Sequence, residues 1–129
     1  MAITRQTEKP GKVVTGISAS GVTAEKFVGF DGEICGAGLK ARGASRDDYD
    51  SNTGMYPLAL DGEVFVTAGD QTTPITNGLA VASDASGCAI AAAATKVVNG
   101  WAVVPSGVTI VAGQKVLIQL GGGYVVAGS

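Results

Sequence analysis

From Lys26 onward, short apolar runs alternate with Gly, Asp or Asn every 8–12 residues, and this rhythm limits what the chain can fold into. "KFVGF", "GEICGAGLKA", "MYPLAL", "GEVFVTA", "GLAVAS", "GCAIAAA" and "KVLIQL" all have the length of strands. "FDGE" and "LDGE" place Asp-Gly between such runs, the strongest short-range hairpin signal. In "KVLIQL" the side chains alternate, with Val116, Ile118 and Leu120 on one face and Lys115, Leu117 and Gln119 on the other. "GGG" at Gly121–Gly123 then makes a turn, and "YVVAG" is placed to return antiparallel. No window sustains the i, i+3, i+4 pattern with caps that a helix of ten or more residues requires. The fold class expected is mainly β, a small β-barrel or β-sandwich.

The stretch "CAIAAAATKVVNGWAVV", Cys88 to Val104, is the hardest test of that expectation. A membrane span needs about 20 continuous apolar residues, and Lys96 and Asn99 interrupt this one. A buried helix is the stronger rival, since "AIAAAATK" has high helix propensity. Against it stand the turn chemistry of "SDASG" in front and the β-branched and aromatic run behind. Asn99-Gly100 in mid-run is costly in a helix and natural at a bend. Two strands meeting near "TKVVNG" are therefore expected, with alanine faces that let another layer or subunit approach closely. Trp101, in an apolar run, is expected in the core. "ARGASRDDYDSNTGMYPL" and "WAVVPSGVTIVAGQKVL" form a faint internal repeat, each running from a short strand through a loop to a second strand.

Residues 1–24 read differently. They hold few large apolar side chains and many Thr, Ser, Gly and Lys, so they cannot bury enough surface to order alone. The expected organisation is an extended N-terminal arm, residues 1–24, and a compact β domain, residues 25–129. Within the arm "KVVTGI" (Lys12, Val13, Val14, Thr15, Gly16 and Ile17) is the segment suited to adding as a strand to a partner's sheet edge. On this reading, deletion of residues 1–22 abolishes partner binding and leaves the body folded.

The 129 residues suit one domain, and the 46% apolar fraction is ordinary, but Gly and Ala dominate it while Phe, Trp and Tyr make up only 5%. The core is expected to be thin, built of small and β-branched side chains. Residues 1–26 carry Arg5, Lys9, Lys12 and Lys26 against Glu8 and Glu25, a balance of +2, so the rest carries −4 of the net −2. That asymmetry is too weak for a nucleic-acid binder. Cys35 and Cys88 stand far apart with no neighbouring His or Cys and read as buried thiols; a disulfide would need an oxidising compartment. The polar N-terminus lacks the apolar segment of a secretory signal, so synthesis in a cytoplasm is expected.

The chain contains no histidine, which removes Ser-His-Asp and Cys-His catalysis and leaves two distant thiols for any zinc site. Its glycines fit neither the phosphate-loop nor the dinucleotide pattern. "DDYDSNTG" starts like a calcium loop at Asp48, Asp50 and Asn52. Its glycine, however, falls one place late at Gly54, and Ala59 occupies the position of the bidentate Glu. Asp47, Asp48, Asp61 and Glu63 are not distinguished from surface acids as a catalytic pair. Neither an enzyme nor a cofactor is expected.

The order of the segments resembles the small capsid cement, or head decoration, proteins of tailed bacteriophages. That family runs through a "Gly-x-x-Val-x-Val" strand, a "Gly-x-Val-x-Val-x-Ala-Gly" strand and "Ile-x-x-Gly-x-x-Val-x-Ser-Asp-x-x-Gly-x-Ala". It closes with "Gly-x-Ala" and "Ala-Gly-x-x-Val-x-Ile-x-Leu". Here these correspond to Gly54–Leu60, Gly62–Gly69, Ile75–Ala89, Gly100–Ala102 and Ala112–Leu120, within residues 26–120. Leu79, Pro57, the "GGGYVVAGS" tail and the long arm depart from the pattern. The resemblance implies a non-catalytic protein on the outer capsid surface of the virion, made in the host cytoplasm. Its partners would be the major capsid protein, whose subunits it bridges, and further copies of itself as a trimer or dimer, with no nucleic acid and no membrane. The competing class is a carbohydrate- or cell-surface-binding β module, which would show itself by an exposed aromatic platform.

Overall fold

The structure is a computed structural model that describes residues 6–126. Its strands are β1 (Lys9–Pro10), β2 (Val13–Ile17), β3 (Phe27–Val28), β4 (Gly43–Ser45), β5 (Met55–Ala59), β6 (Gly62–Thr67), β7 (Ala80–Ser83), β8 (Ala89–Ala91), β9 (Gly100–Val103) and β10 (Lys115–Leu120). Among the described residues there is no helix. The strands form two antiparallel sheets, ordered β1-β6-β10-β9-β7-β8 and β2-β5-β4-β3. The fold is thus mainly β, and of the two architectures expected the barrel is not met. A single parallel bridge, Ala68↔Ala89, brings β8 back beside the end of β6, but one bridge is not a ladder and the larger sheet stays open.

Alternation in β10 places Val116 and Ile118 in the core, with Leu120 packed against it, while Lys115 and Gln119 face solvent. Flanked by β6 and β9, β10 is the central strand that the apolar sequence requires. One core joins the two sheets. Phe27, Ala44 and Ala59 form a cross-strand row on the smaller sheet, and Val64, Val66, Val81, Ala102, Val116 and Ile118 come from the larger. Val22, Val28, Tyr56 and Leu58 make a second cluster involving the smaller sheet. At about 25 cal/mol per Å² of buried apolar surface, small side chains yield little each, so the lone Phe27 carries an outsized share.

The Cys88–Val104 stretch is two strands, β8 and β9, with no helix between them. The turn comes earlier than expected. Lys96 N–H donates to the Ala93 carbonyl at 3.1 Å, and Thr95 adopts φ 68°. Asn99 is no bend residue but a buried tie. Its Oδ1 accepts from Ala41 N–H at 2.9 Å and its Nδ2 donates to the Leu39 carbonyl at 3.0 Å. Asn99→Ala strands both backbone groups, so chemical denaturation should show a loss of about 2–3 kcal/mol.

The two Asp-Gly signals diverge. Phe30–Glu33 closes a tight turn, with Gly29 N–H on the Glu33 carbonyl at 2.8 Å and a Val28↔Ile34 bridge behind it. Asp61-Gly62 joins β5 to β6, which lie in different sheets, and so makes a crossover instead of a hairpin. Gly62, at φ 87°, supplies the left-handed residue that this corner needs. The faint repeat corresponds to two hairpins, β4–β5 and β9–β10, one in each sheet. Tyr124 and Val125 return beside Val97 and Val98, not beside β10. Cys35 and Cys88 are buried free thiols.

The expected separation of an arm from a body does not hold over residues 9–24. β1 pairs with β6, β2 pairs with β5, and Val22 is fully buried. Deleting residues 1–22 would remove strands from both sheets, so the truncated chain is not expected to keep this fold. The physical reason lies in long-range packing. Val14 packs on the cluster around Tyr56, and Gly16 lets the Tyr56 ring approach so closely that a Cβ there would sit 2.4 Å from its Cζ. Residues 1–5, also assigned to the arm, lie outside the described residues.

Candidate docking surface

β2 is an outer strand of the four-stranded sheet and has a partner on one side only. Its register runs from Val13↔Ala59 to Ile17↔Met55. Leu60 N–H donates to the Lys12 carbonyl at 2.8 Å and Ser18 N–H to the Gly54 carbonyl at 2.8 Å. Antiparallel alternation therefore turns Lys12, Val14, Gly16 and Ser18 toward β5, and turns the N–H and C=O of Val13 and Thr15 to the free edge. Gly32 lies close over the Ile17 carbonyl and covers that end of the edge.

The side chains alternate in the same way. Val14 and Gly16 face the Tyr56 cluster, while Val13, Thr15 and Ile17 are exposed beside Met55. Ile17 is 63% exposed and Met55 49%, high values for large apolar side chains. With Thr15, Pro57, Asp50 and Thr53, Val13 and Met55 line an open groove of about 590 Å³. Pro57 is tolerated in β5 because its backbone faces past the end of β4, where its carbonyl accepts from Arg46 N–H at 3.0 Å and no ladder donor is needed. All six residues singled out in "KVVTGI" thus lie on or next to one edge strand. Met55 and Pro57 were not anticipated there, although the alternation of "MYPLAL" carries the signal.

Both ends of β2 are held by acidic side chains. Asp61 Oδ1 accepts from Lys12 N–H at 2.6 Å. Glu33 accepts from the Ser18 hydroxyl, from Ala19 N–H at 2.8 Å and from Ser20 N–H at 3.2 Å. The Ser18 hydroxyl, then the Ala19 amide, holds the Glu33 carboxyl below its usual range, against a smaller desolvation. A depressed folded value means the carboxylate stabilises the fold above its unfolded pKa, and the contribution is lost as pH falls through the lowered value. The protection factors of the Ala19 and Ser20 amides, corrected for the intrinsic pH dependence of exchange, should fall on acidification through that range. Glu33→Gln should flatten the pH dependence.

Of the acids weighed for metal or acid–base chemistry, Asp47, Asp48, Asp50 and Asp61 accept hydrogen bonds from backbone N–H groups. Asp48 Oδ1 accepts from Ala24 N–H at 2.8 Å, and Asp50 Oδ1 accepts from Asn52 N–H at 2.7 Å. Asp47 Oδ1 accepts from Asp48 N–H at 2.8 Å, and Glu63 lies on β6 beside Lys9. The Asp47 and Asp50 contacts are the local turn uses of Asp, while Asp48 ties a segment 24 residues away. Trp101 is not in the core. It lies on the face of β9 opposite the buried Ala102, with its ring centroid 6.5 Å from that of Tyr124.

Two open antiparallel sheets around one core, with an N-terminal strand at the edge of each, define the class of domain. Among solved structures, the fold is similar to that of the N base of the head fiber protein gp8.5 of bacteriophage phi29. The TM-score is 0.62 at 18% identity, covering 85% of this chain and 93% of that one. At this identity the likeness is one of fold. No family model matches the chain. No curated protein matches it either.

Proposed function

We propose that this chain is a structural protein of a bacteriophage head that docks on the outer capsid surface and bridges neighbouring major capsid subunits. The observation that carries the proposal is the fold shared with a phage head fiber base, in a chain whose β2 edge is open. A strand of the capsid protein adds to the N–H and C=O groups of Val13 and Thr15, and its side chains enter the groove beside Met55 and Pro57. Lys12 stands exposed at the entrance of the strand, and Ile17 at its exit.

Such a contact is small, and repetition makes it effective. Copies arrayed on an icosahedral shell, associated as trimers or dimers, turn modest single contacts into strong retention. Because they bind the assembled shell and not its dissociated subunits, they raise its stability by mass action. No catalytic group or cofactor takes part in this role.

The test is co-sedimentation of the full chain with empty capsids assembled from the major capsid protein encoded alongside it. Saturable binding at a fixed ratio to capsid subunits, with a raised capsid melting temperature, is the expected result. Failure to sediment with expanded capsids would overturn the proposal.

A further inference from the structure

The outer face of the larger sheet carries a second surface, unrelated to β2. Register places Trp101 of β9 opposite Gln119 of β10, Gln119 opposite Glu63 of β6, and Glu63 opposite Lys9 of β1. Alternation turns all four away from the core that Ala102, Ile118 and Val64 fill. They form one row across four strands, at the interstrand spacing of about 4.8 Å.

The aromatic end of the row is anchored through its backbone. Tyr124 is 53% exposed, and its ring is tilted 37° to that of Trp101. Its backbone is fixed on Val98, whose N–H donates to the Tyr124 carbonyl at 2.9 Å and whose carbonyl accepts from Gly123 N–H at 2.7 Å. Gly121 lies so close to the indole that a Cβ there would sit 3.1 Å from Cζ3. Anchoring of the Tyr124 backbone lowers what a ligand must order at the pair.

We infer that this row is a binding site for a neutral oligosaccharide of pyranose sugars. The exposed Tyr124 ring and the half-buried Trp101 indole tilted against it offer apolar surface to the C–H groups of a sugar ring. The exposed Gln119 amide beside them offers both donors and an acceptor to hydroxyl groups. Lys9 and Glu63 extend the polar row, and their opposite charges cancel, which favours an uncharged ligand over an acidic or basic one. A chain of sugar rings laid across the strands would meet the aromatic pair, then the amide, then the charged pair.

The chain has one tryptophan, so its fluorescence reports on this site alone. The experiment titrates the full-length protein, without capsids, with cellotetraose and with the tetramer of N-acetylglucosamine. A saturable change with at least one sugar below about 10 mM is expected, and Tyr124→Ala or Gln119→Ala should each weaken it about tenfold. Phe30→Ala, an exposed aromatic on a different turn, should leave it unchanged. No saturable change with either sugar, or a change that both site variants leave intact, would overturn the inference. Capsid co-sedimentation reads the β2 surface separately, so either result stands without the other.

Discussion

Replacing Thr15 with proline should abolish capsid binding while leaving the fold in place. Thr15 lies opposite Pro57 at a position whose N–H points away from β5, so proline removes no bond within the sheet. Edge strands accept proline for this reason, and the stability cost should stay within about 1 kcal/mol. On the open side the same change deletes a donor and sets a ring where the added strand must approach. Capsid affinity should fall by more than tenfold, which corresponds to about 1.4 kcal/mol or more. Ile17→Asp should act in the same direction through the neighbouring apolar strip, in which Ile17 faces Met55. Unchanged sedimentation of both variants would show that β2 is not the docking edge.

Phe27→Ala should produce the largest loss of stability of any single truncation in the chain. Phe27 is fully buried, stands opposite Ala44, and belongs to a core made mostly of alanine and valine side chains, which are short for closing over the space it would leave. Truncation of a buried Phe costs about 3–5 kcal/mol, with a cavity term at the upper end where neighbours cannot collapse. For a domain of this size that lowers the melting temperature by about 10–20 °C. Phe30, three residues on, is 69% exposed at the tip of a turn, and Phe30→Ala should shift stability by no more than about 0.5 kcal/mol. Thermal melts of the two variants, side by side, separate core from surface within one short segment.

Local chemistry made much of this fold legible. β10 follows directly from the alternation of "KVLIQL", and the β7–β8 turn from "SDASG", where Asp84 Oδ1 accepts from Ser86 N–H at 2.8 Å and Cys88 N–H at 2.9 Å. Long-range partners were not legible. "LDGE" carries the same signal as "FDGE", yet the strands it joins belong to different sheets, because pairing is decided by residues far along the chain. The residue 9–17 segment looked unable to order itself, and alone it cannot. Its burial depends on Tyr56 and β6, about forty and more residues downstream, and on a glycine whose value is the room it leaves. Trp101 misled for a related reason. Its neighbours in sequence are apolar, but strand alternation turns it to the opposite face from Ala102, and its aromatic partner lies past the Gly121–Gly123 turn.

For the docking surface, the six residues of "KVVTGI" were legible as a strand, since β-branched residues between glycines and lysines suit an edge. What could not be read was that the strand already has one neighbour, so its capacity for a partner is half that of a free arm. This distinction has a mechanical consequence. A partner meets a preformed edge and pays no cost for ordering the strand.

Amide hydrogen exchange of the full chain, free and saturating empty capsids, tests the central claim most directly. Val13 and Thr15, whose N–H groups face the open edge, should exchange quickly in the free protein and become strongly protected on the capsid. Val14 and Gly16, already bonded toward β5, should change far less. Protection that appears elsewhere on the surface while Val13 and Thr15 stay fast would contradict docking through β2.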